Sequence, residues 1–324
     1  MEAPAAFRII LLGESRNGKS SLCNTIFGEA IFGVKNFNDM NSFATEAKTK
    51  LVNGRNFTLI DTPGLFDSGR SPEAVKPELL RCIIECAPGP HVFLIVLKVD
   101  KYTEQEEDVI AKIRRYFSDD ALKYAVVVFT HGDQLPEGMK IKQYADQSDS
   151  LRELVEKCGG RCHIFDNRYW QNNQKDDYRS NKFQLVELLN TIDKMWMENR
   201  GGHFSNKTLN NIEREMQEEI KLLKLSTENM SEDEMRQQVK SIVLKRHLEE
   251  NFWLKVSVGA GLLAFFIISR LNPTSNITEE SVVEAAQTVL HQRAEQAIPN
   301  AFEAICDYLN ALFERTYNPF CPFD

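Results

Sequence analysis

The chain has 324 residues, which is room for about two domains and a full-sized hydrophobic core, so a peptide or a disulfide mini-protein is excluded. With 39 Lys and Arg against 47 Asp and Glu, the formal net charge is −8. No overall positive field attracts nucleic acid, and we expect no nucleic-acid partner. A mean hydropathy of −0.37 excludes a polytopic membrane protein but allows one apolar segment.

The cysteines and the N-terminus both indicate a cytosolic protein. The seven cysteines are an odd number and are never spaced as CxxC, which favours reduced thiols. The first residues lack the basic start and the long apolar stretch of a signal peptide. We therefore expect synthesis in the cytosol.

Short β-rich runs alternate with helical stretches over the first two thirds of the chain, which predicts an α/β domain over residues 5–205. Near-continuous apolar runs suit central parallel strands that are covered on both faces. Asn53-Gly54 separates two runs and readily adopts positive φ, so we expect a hairpin that adds one antiparallel edge strand. The predicted strands are Phe7–Leu12, Lys48–Val52, Phe57–Asp61, Val92–Val99, Tyr124–Phe129 and Cys162–Phe165.

A GxxxxGKS pattern directly follows the first predicted strand, in the strand–loop–helix setting of a phosphate-binding loop. Two glycines let backbone N–H groups curl around phosphates, and Lys19 adds positive charge at the β and γ oxygens. The Ser20 hydroxyl is suited to coordinate Mg²⁺. The predicted phosphate site comprises Gly13, Glu14, Ser15, Arg16, Asn17, Gly18, Lys19, Ser20 and Ser21.

The sequence DTPG ends the third predicted strand, at the edge where open α/β sheets bind ligands. We expect Asp61 to hold Mg²⁺ through a water molecule and the Gly64 N–H to contact a γ-phosphate. The alternative is a purely structural Asp-Pro turn. A phosphate-binding loop earlier in the chain favours the functional interpretation.

The polar stretch 35–49 lies between these two motifs and has little periodicity. Thr45, favoured over Thr49, is predicted to add its hydroxyl to Mg²⁺ only while a γ-phosphate is present. A solvated loop threonine without a role is the alternative.

The strand YAVVVF leads into Thr-His-Gly-Asp, where a carboxylate can read a purine base. Asp133 can accept both N1–H and N2–H of guanine, whereas adenine offers no such pair, so GTP is favoured over ATP. GTPases commonly carry a lysine where this chain has His131, whose imidazole can stack on the base instead. Asn167 is a candidate partner for guanine O6. Trp170 either packs beside this site or is an ordinary core aromatic.

The motifs resemble the GTPases of immunity-associated proteins (GIMAP family), which carry an AIG-type G domain of the P-loop GTPase superfamily. The resemblance rests on Phe7–Ser20, DTPGLFDS at 61–68, APGPHVFLIVLKVDKYTEQEE at 87–107 and FTHGDQL at 129–135. It covers roughly residues 7–205. The stretch 87–107 is the most specific part, because other P-loop GTPases lack it.

The resemblance implies a Ras-like domain with a mixed, mostly parallel six-stranded sheet, extra helices including one spanning 87–107, and GTP or GDP with Mg²⁺ as cofactors. It also implies GTP-dependent dimerisation or oligomerisation, with itself or with related family members, often at a membrane or lipid-droplet surface.

Two positions bear on catalysis. Small GTPases usually have a water-orienting glutamine where this chain has Leu65, so intrinsic hydrolysis should be slow. Some family members place an arginine in the partner's site, and the matching residue here is Lys101, which keeps the charge but lacks the bidentate fork.

One hypothesis is a GTP-controlled assembly switch with slow turnover. The other is a GTPase whose paired subunits complete each other's sites; an ATPase of similar fold is a weaker third.

The last third of the chain has a different character. Residues 206–250 predict a charged amphipathic helical extension, either packed back on the first domain or forming a coiled-coil partner surface. Residues 252–269 form an apolar segment with one charge, predicted either to span an intracellular membrane or to be a buried helix. A span would keep the G domain cytoplasmic, because basic residues precede it. Residues 273–324 predict a helical tail.

Overall fold

The computed structural model describes residues 4–34, 45–62, 64–65, 67, 72–170, 178–226 and 230–248. The chain divides into two compact units, Met1–Leu244 and Lys245–Asp324, and nearly all described residues belong to the first. The predicted apolar segment 252–269 and the predicted tail 273–324 lie outside the described residues. Within the described part, no helix combines the length and the apolar character needed to cross a bilayer.

Six strands form one sheet in the order β2-β3-β1-β4-β5-β6. Every neighbouring pair is parallel except β2 and β3. The predicted mixed, mostly parallel six-stranded sheet is therefore confirmed. The strands are β1 (Phe7–Leu12), β2 (Glu46–Val52), β3 (Arg55–Asp61), β4 (Val92–Lys98), β5 (Ala125–Thr130) and β6 (Cys162–Ile164).

The hairpin between β2 and β3 turns at Asn53-Gly54, as the sequence predicts. Both residues have positive φ, 47° and 77°, which is the geometry of a two-residue turn matching the twist of the strands. Val52 pairs with Arg55, and the ladder runs to Glu46 opposite Asp61. This antiparallel strand forms one edge of the sheet.

Helices cover both faces of the sheet, because the central strands bury alternate residues on opposite sides. Ile10 and Leu12 of β1 pack in one core, whereas Ile9 and Leu11 pack in the other. The helices are α1 (Lys19–Phe27), α2 (Pro72–Cys86), α3 (Glu104–Phe117), α4 (Ile141–Ala145), α5 (Asp149–Lys157), α6 (Asn181–Glu198), α7 (Lys207–Ser226) and α8 (232–248).

The prediction of a helix that spans 87–107 is wrong. Val92–Lys98 is the central strand β4, and helix α3 begins only at Glu104. The first six residues of β4 are all buried, which a strand between two neighbours with both faces covered accommodates. A capping box between Thr103 and Glu106 sets the start of α3.

The amphipathic helices α7 and α8 pack back on α2, which is the first of the two alternatives left open by the sequence. Met216 of α7 and Val239 of α8 are fully buried in a cluster with Ile84 of α2. Lys240 forms an ion pair with Glu85 of α2 at 2.8 Å. The periodic apolar face of this extension is therefore used within the chain.

Candidate functional site

Four loops meet at one edge of the sheet, each leaving the carboxyl end of a strand. They follow β1, β3, β5 and β6, and all four strands run parallel. Ligands of open α/β sheets bind at this edge. The sequence motifs of the phosphate loop, the DTPG turn and the two base loops therefore come together.

The loop after β1 is tied to the neighbouring strands. Gly13 has a φ of 152°, and a Cβ there would lie 2.3 Å from the Val96 carbonyl oxygen. Because β4 lies so close, only glycine fits at position 13. The buried Asn17 donates from Nδ2 to the same carbonyl at 3.1 Å. Thr130 of β5 donates its hydroxyl to the Asn17 carbonyl oxygen at 2.8 Å. These contacts hold the loop in a curled shape suited to phosphates.

Lys19 lies inside this loop rather than in solvent. Its ammonium donates to the carbonyl oxygens of Gly13 at 2.8 Å and Glu14 at 2.7 Å. Burial lowers the pKa of Lys19, and the nearby carboxylates of Asp61 and Asp67 oppose that shift. The loop thus holds a buried cation beside two acids.

Ser20 and Asp61 form the pair predicted to hold a metal. The Ser20 hydroxyl donates to Asp61 Oδ2 at 2.5 Å, joining the start of α1 to the end of β3. The next residue, Thr62, fixes this end by donating to the Leu11 carbonyl oxygen at 2.6 Å. A hydroxyl and a carboxylate are hard oxygen ligands, so this donor set fits Mg²⁺.

Thr45 lies directly before β2 and contacts α2. Its backbone N–H donates to Glu78 Oε2 at 2.9 Å, and its hydroxyl donates to the same oxygen at 3.3 Å. The structure thus brings Thr45 to a glutamate of α2. Its role at Mg²⁺ stays a prediction.

The loops after β5 and β6 line a cleft of about 270 Å³. Both predicted base-reading residues, Asp133 and Asn167, line it together with His131. His131 has a positive φ of 58° at the start of a short 3-10 helix, Gly132–Gln134. The other lining residues are Gln134, Asp166, Arg168 and Tyr169.

Asn167 connects the base cleft to the phosphate loop. Its Nδ2 donates to the Gly18 carbonyl oxygen at 3.4 Å, and its Oδ1 accepts from the Thr25 hydroxyl of α1 at 3.1 Å. The two halves of the predicted nucleotide site are therefore adjacent. Trp170 is a core aromatic, 4% exposed, which packs so closely on Gly132 that a Cβ there would lie 2.7 Å from the ring.

Asp166 organises this cleft, although the sequence analysis missed it. It is buried, and its carboxylate accepts from the backbone N–H groups of Arg168 at 2.8 Å, Tyr169, and Asp133 at 3.1 Å. Asn181 of α6 pairs with its backbone. The contacts with Arg168 and Tyr169 are local, but those with Asp133 and Asn181 span 33 and 15 positions, so the sequence offered only an acid next to Asn167 as a signal.

The two aspartates of the cleft titrate in opposite directions. Partial burial, together with the hydrogen bond to Asp166 and its charge, raises the pKa of Asp133. Burial alone would raise the pKa of Asp166, but the donors Tyr169, Asp133 and Arg168 outweigh it and lower that pKa. Asp166 is therefore the more acidic partner of the pair.

Asp67 is the second residue missed by the sequence analysis. Its Oδ1 accepts from the Ser15 backbone N–H at 2.7 Å, so an acid from the loop after β3 reaches the phosphate loop. Its own N–H donates to the Gly64 carbonyl oxygen at 3.1 Å. It lies inside the stretch DTPGLFDS at 61–68, but neither its spacing nor the resemblance assigned it a role.

The two positions bearing on catalysis have contrasting environments. Leu65 is fully buried and carries no polar group to orient water. Lys101 is exposed just after β4, and its backbone N–H donates to Asp100 Oδ1 at 2.7 Å. A role for Lys101 in a partner's site stays a prediction.

Comparisons with known proteins agree with this geometry. The model of the AIG1 family matches residues 7–224. Immune-associated nucleotide-binding protein 13 of Arabidopsis thaliana is 29% identical over 75% of this chain and 70% of its own length. GTPase IMAP family member 8 of Rattus norvegicus is 30% identical over 63% of this chain, but this covers only 28% of that protein.

A solved structure has the same fold. Toc33 from Arabidopsis thaliana, in complex with GDP and Mg²⁺, has a TM-score of 0.50 and 20% sequence identity, over 62% of this chain and 89% of that one. The likeness indicates the fold of a P-loop GTPase domain for the first two thirds of the chain.

Proposed function

Since the chain belongs to the AIG1 family, we propose that it binds GTP and GDP with Mg²⁺ and acts as a GTP-controlled assembly switch with slow intrinsic hydrolysis. One observation carries this proposal: Asn167 contacts Gly18, so the cleft lined by Asp133 adjoins the loop that follows β1. Two comparisons support the proposal: one relative is named a GTPase, and one structural neighbour was solved with GDP and Mg²⁺.

Each part of the nucleotide has a matching group in this chain. The backbone N–H groups of the loop 13–18 and Lys19 suit the phosphates. Ser20 would ligate Mg²⁺ directly, with Asp61 acting through water, and the metal would neutralise charge between the β- and γ-phosphates. Asp133 would accept the two N–H groups of guanine, and Asn167 would donate to O6.

Slow hydrolysis follows from the residue at the water-orienting position. Leu65 is fully buried and apolar, so it cannot hold an attacking water molecule. A nucleotide that persists can keep a switch in one state. We therefore propose that the GTP-bound form exposes a surface for a second copy of this chain or a related family member.

The alternative proposal is a dimer-activated GTPase in which each subunit completes the partner's site. The exposure of Lys101, in the loop between β4 and α3, favours this alternative. A lysine provides one positive charge but lacks the two-pronged hydrogen bonding of arginine, so we expect a modest acceleration.

Sedimentation of the full chain tests the switch. We expect monomers with GDP and dimers with a non-hydrolysable GTP analogue, because only the latter has a γ-phosphate to order Thr45 and Gly64. Equal masses with both nucleotides would contradict the proposal.

The same protein distinguishes the enzyme alternative by single-turnover hydrolysis over a range of concentrations. A rate per site that is constant through dimerisation supports the slow switch. A rate that rises with dimerisation in the wild type but not in Lys101→Ala supports subunits that complete each other's sites, and Lys123→Ala is the matched control at an exposed lysine.

A further inference from the structure

A carboxylate lies on the phosphate loop at a place suited to an anion. Asp67 Oδ1 accepts from the Ser15 N–H at 2.7 Å, across 52 positions of sequence. The same carboxylate lies against Gly64: a Cβ built there would be 2.2 Å from Oδ1 and 2.1 Å from Oδ2. Asp67 is therefore close to both the phosphate loop and the glycine predicted to sense γ-phosphate.

The backbone around Asp67 is held from two sides. Its N–H donates to the Gly64 carbonyl oxygen at 3.1 Å, closing a turn. Its carbonyl oxygen accepts from Lys112 Nζ of α3 at 3.3 Å, and Lys112 also forms an ion pair with Asp108 at 2.8 Å. A turn alone would not direct the side chain onto Ser15, so the contact with the phosphate loop needs its own explanation.

The groups that Asp67 engages are those a nucleotide uses. Backbone N–H groups of a phosphate loop bind anionic oxygens, and a side-chain carboxylate supplies such an oxygen without any ligand. The charge of Asp67 also reaches Lys19, where it opposes the effect of burial. Asp67 thus occupies an anion position beside the loop's buried cation.

A γ-phosphate and this carboxylate have the same sign of charge and need the same donors. Two like charges a few ångströms apart in a partly buried site repel each other strongly, since little water screens them. GDP has no γ-phosphate and leaves the contact between Asp67 and Ser15 intact. GTP must displace the carboxylate before its last phosphate reaches Ser15 and Gly64.

On the premise of the proposed function, we propose that Asp67 is a specificity-determining residue that favours GDP over GTP by competing with the γ-phosphate for the Ser15 N–H and the space at Gly64. It acts as negative selection against the longer nucleotide. GTP-bound protein then accumulates only when the other contacts of the γ-phosphate contribute enough binding free energy to displace the Asp67 carboxylate.

Calorimetric titration of the full chain in Mg²⁺ tests this selection, with GDP and a non-hydrolysable GTP analogue as probes. Asp67→Asn keeps the shape and one acceptor for the Ser15 N–H but removes the charge. We expect its ratio of analogue Kd to GDP Kd to fall about tenfold, with the change in the analogue arm. Asp67→Ser, which is shorter and neutral, should give the same direction and serves if Asp67→Asn does not fold.

Asp120→Asn is the matched control, because it removes one negative charge from an exposed carboxylate that pairs with Lys123. Its Kd ratio should equal that of the wild type. A ratio in Asp67→Asn equal to the wild-type ratio would overturn the proposal, as would equal weakening of both nucleotides. Wild-type protein that binds neither probe would instead overturn the proposed function, so the two failures are distinguishable.

Discussion

Asp133, the residue predicted to bind the guanine base, has a second acid as its neighbour in the cleft. Asp133 is hydrogen-bonded to Asp166, and two ionised carboxyl groups in such close contact would repel each other. Asp166 is the carboxyl group that ionises first, because three backbone N–H groups donate to it and stabilise its negative charge. His131 opposes this effect by lowering the pKa of Asp133, and Arg168 also lines the cleft.

This pair predicts an unusual pH dependence of GDP binding. Asp133 must be ionised to accept from guanine, and its pKa is raised, so affinity should fall with decreasing pH at a higher pH than for an ordinary aspartate. In Asp166→Asn the negative charge next to Asp133 is gone, so the fall in affinity should move to lower pH. Titration of GDP affinity from neutral to acidic pH in both proteins measures this shift.

Phosphate protonation affects the wild type and Asp166→Asn alike, so it cancels in their comparison. A purely structural Asp166 would weaken binding in the variant by the same factor at every pH. That parallel displacement of the two curves would refute the coupling between the two acids.

At the scale of elements, the apolar patterns predicted the structure where packing is local in sequence. Alternation and apolar runs predicted each of the six strands, and Asn53-Gly54 predicted the hairpin because its positive φ values come from those two residues alone. The helix implied for 87–107 was wrong, since the apolar run there fills the sheet centre as β4. For α7 the pattern indicated a buried face but not which surface covers it.

The packing of α7 on α2 predicts a large loss of stability when that face is truncated. Met216 is fully buried between α2 and α8, so Met216→Ala should lower the free energy of unfolding by about 2–5 kcal/mol. Leu222→Ala is the matched control on the same helix, because Leu222 is 60% exposed and should change stability by less than about 0.5 kcal/mol. Urea unfolding of both variants measures the difference.

Equal unfolding midpoints for Met216→Ala and Leu222→Ala would contradict this packing. A covered face on α7 would then have to belong to a partner, and the stability of Met216→Ala would depend on protein concentration.

The order of the strands in the sheet brings the site together from segments that are far apart in sequence. The motifs were predictable because each is a short local pattern at the end of a strand: the loop from Gly13, the turn at Asp61 and the acid Asp133. Asp67 and Asp166 were not, because their importance arises from contacts over 52 and 33 positions. Such contacts depend on how the loops meet at the sheet edge.

We claim that this edge of the sheet forms a guanine-nucleotide site, and the Kd values of GDP, ADP and xanthosine diphosphate in Mg²⁺ provide the test. The wild type should prefer GDP to ADP by at least about 100-fold, because Asp133 leaves no partner for the adenine edge. In Asp133→Asn the amide presents a donor that suits the C2 oxygen of xanthine, so the preference should move from GDP to xanthosine diphosphate. Equal affinity of the wild type for GDP and ADP, or an unchanged preference in Asp133→Asn, would contradict the claim.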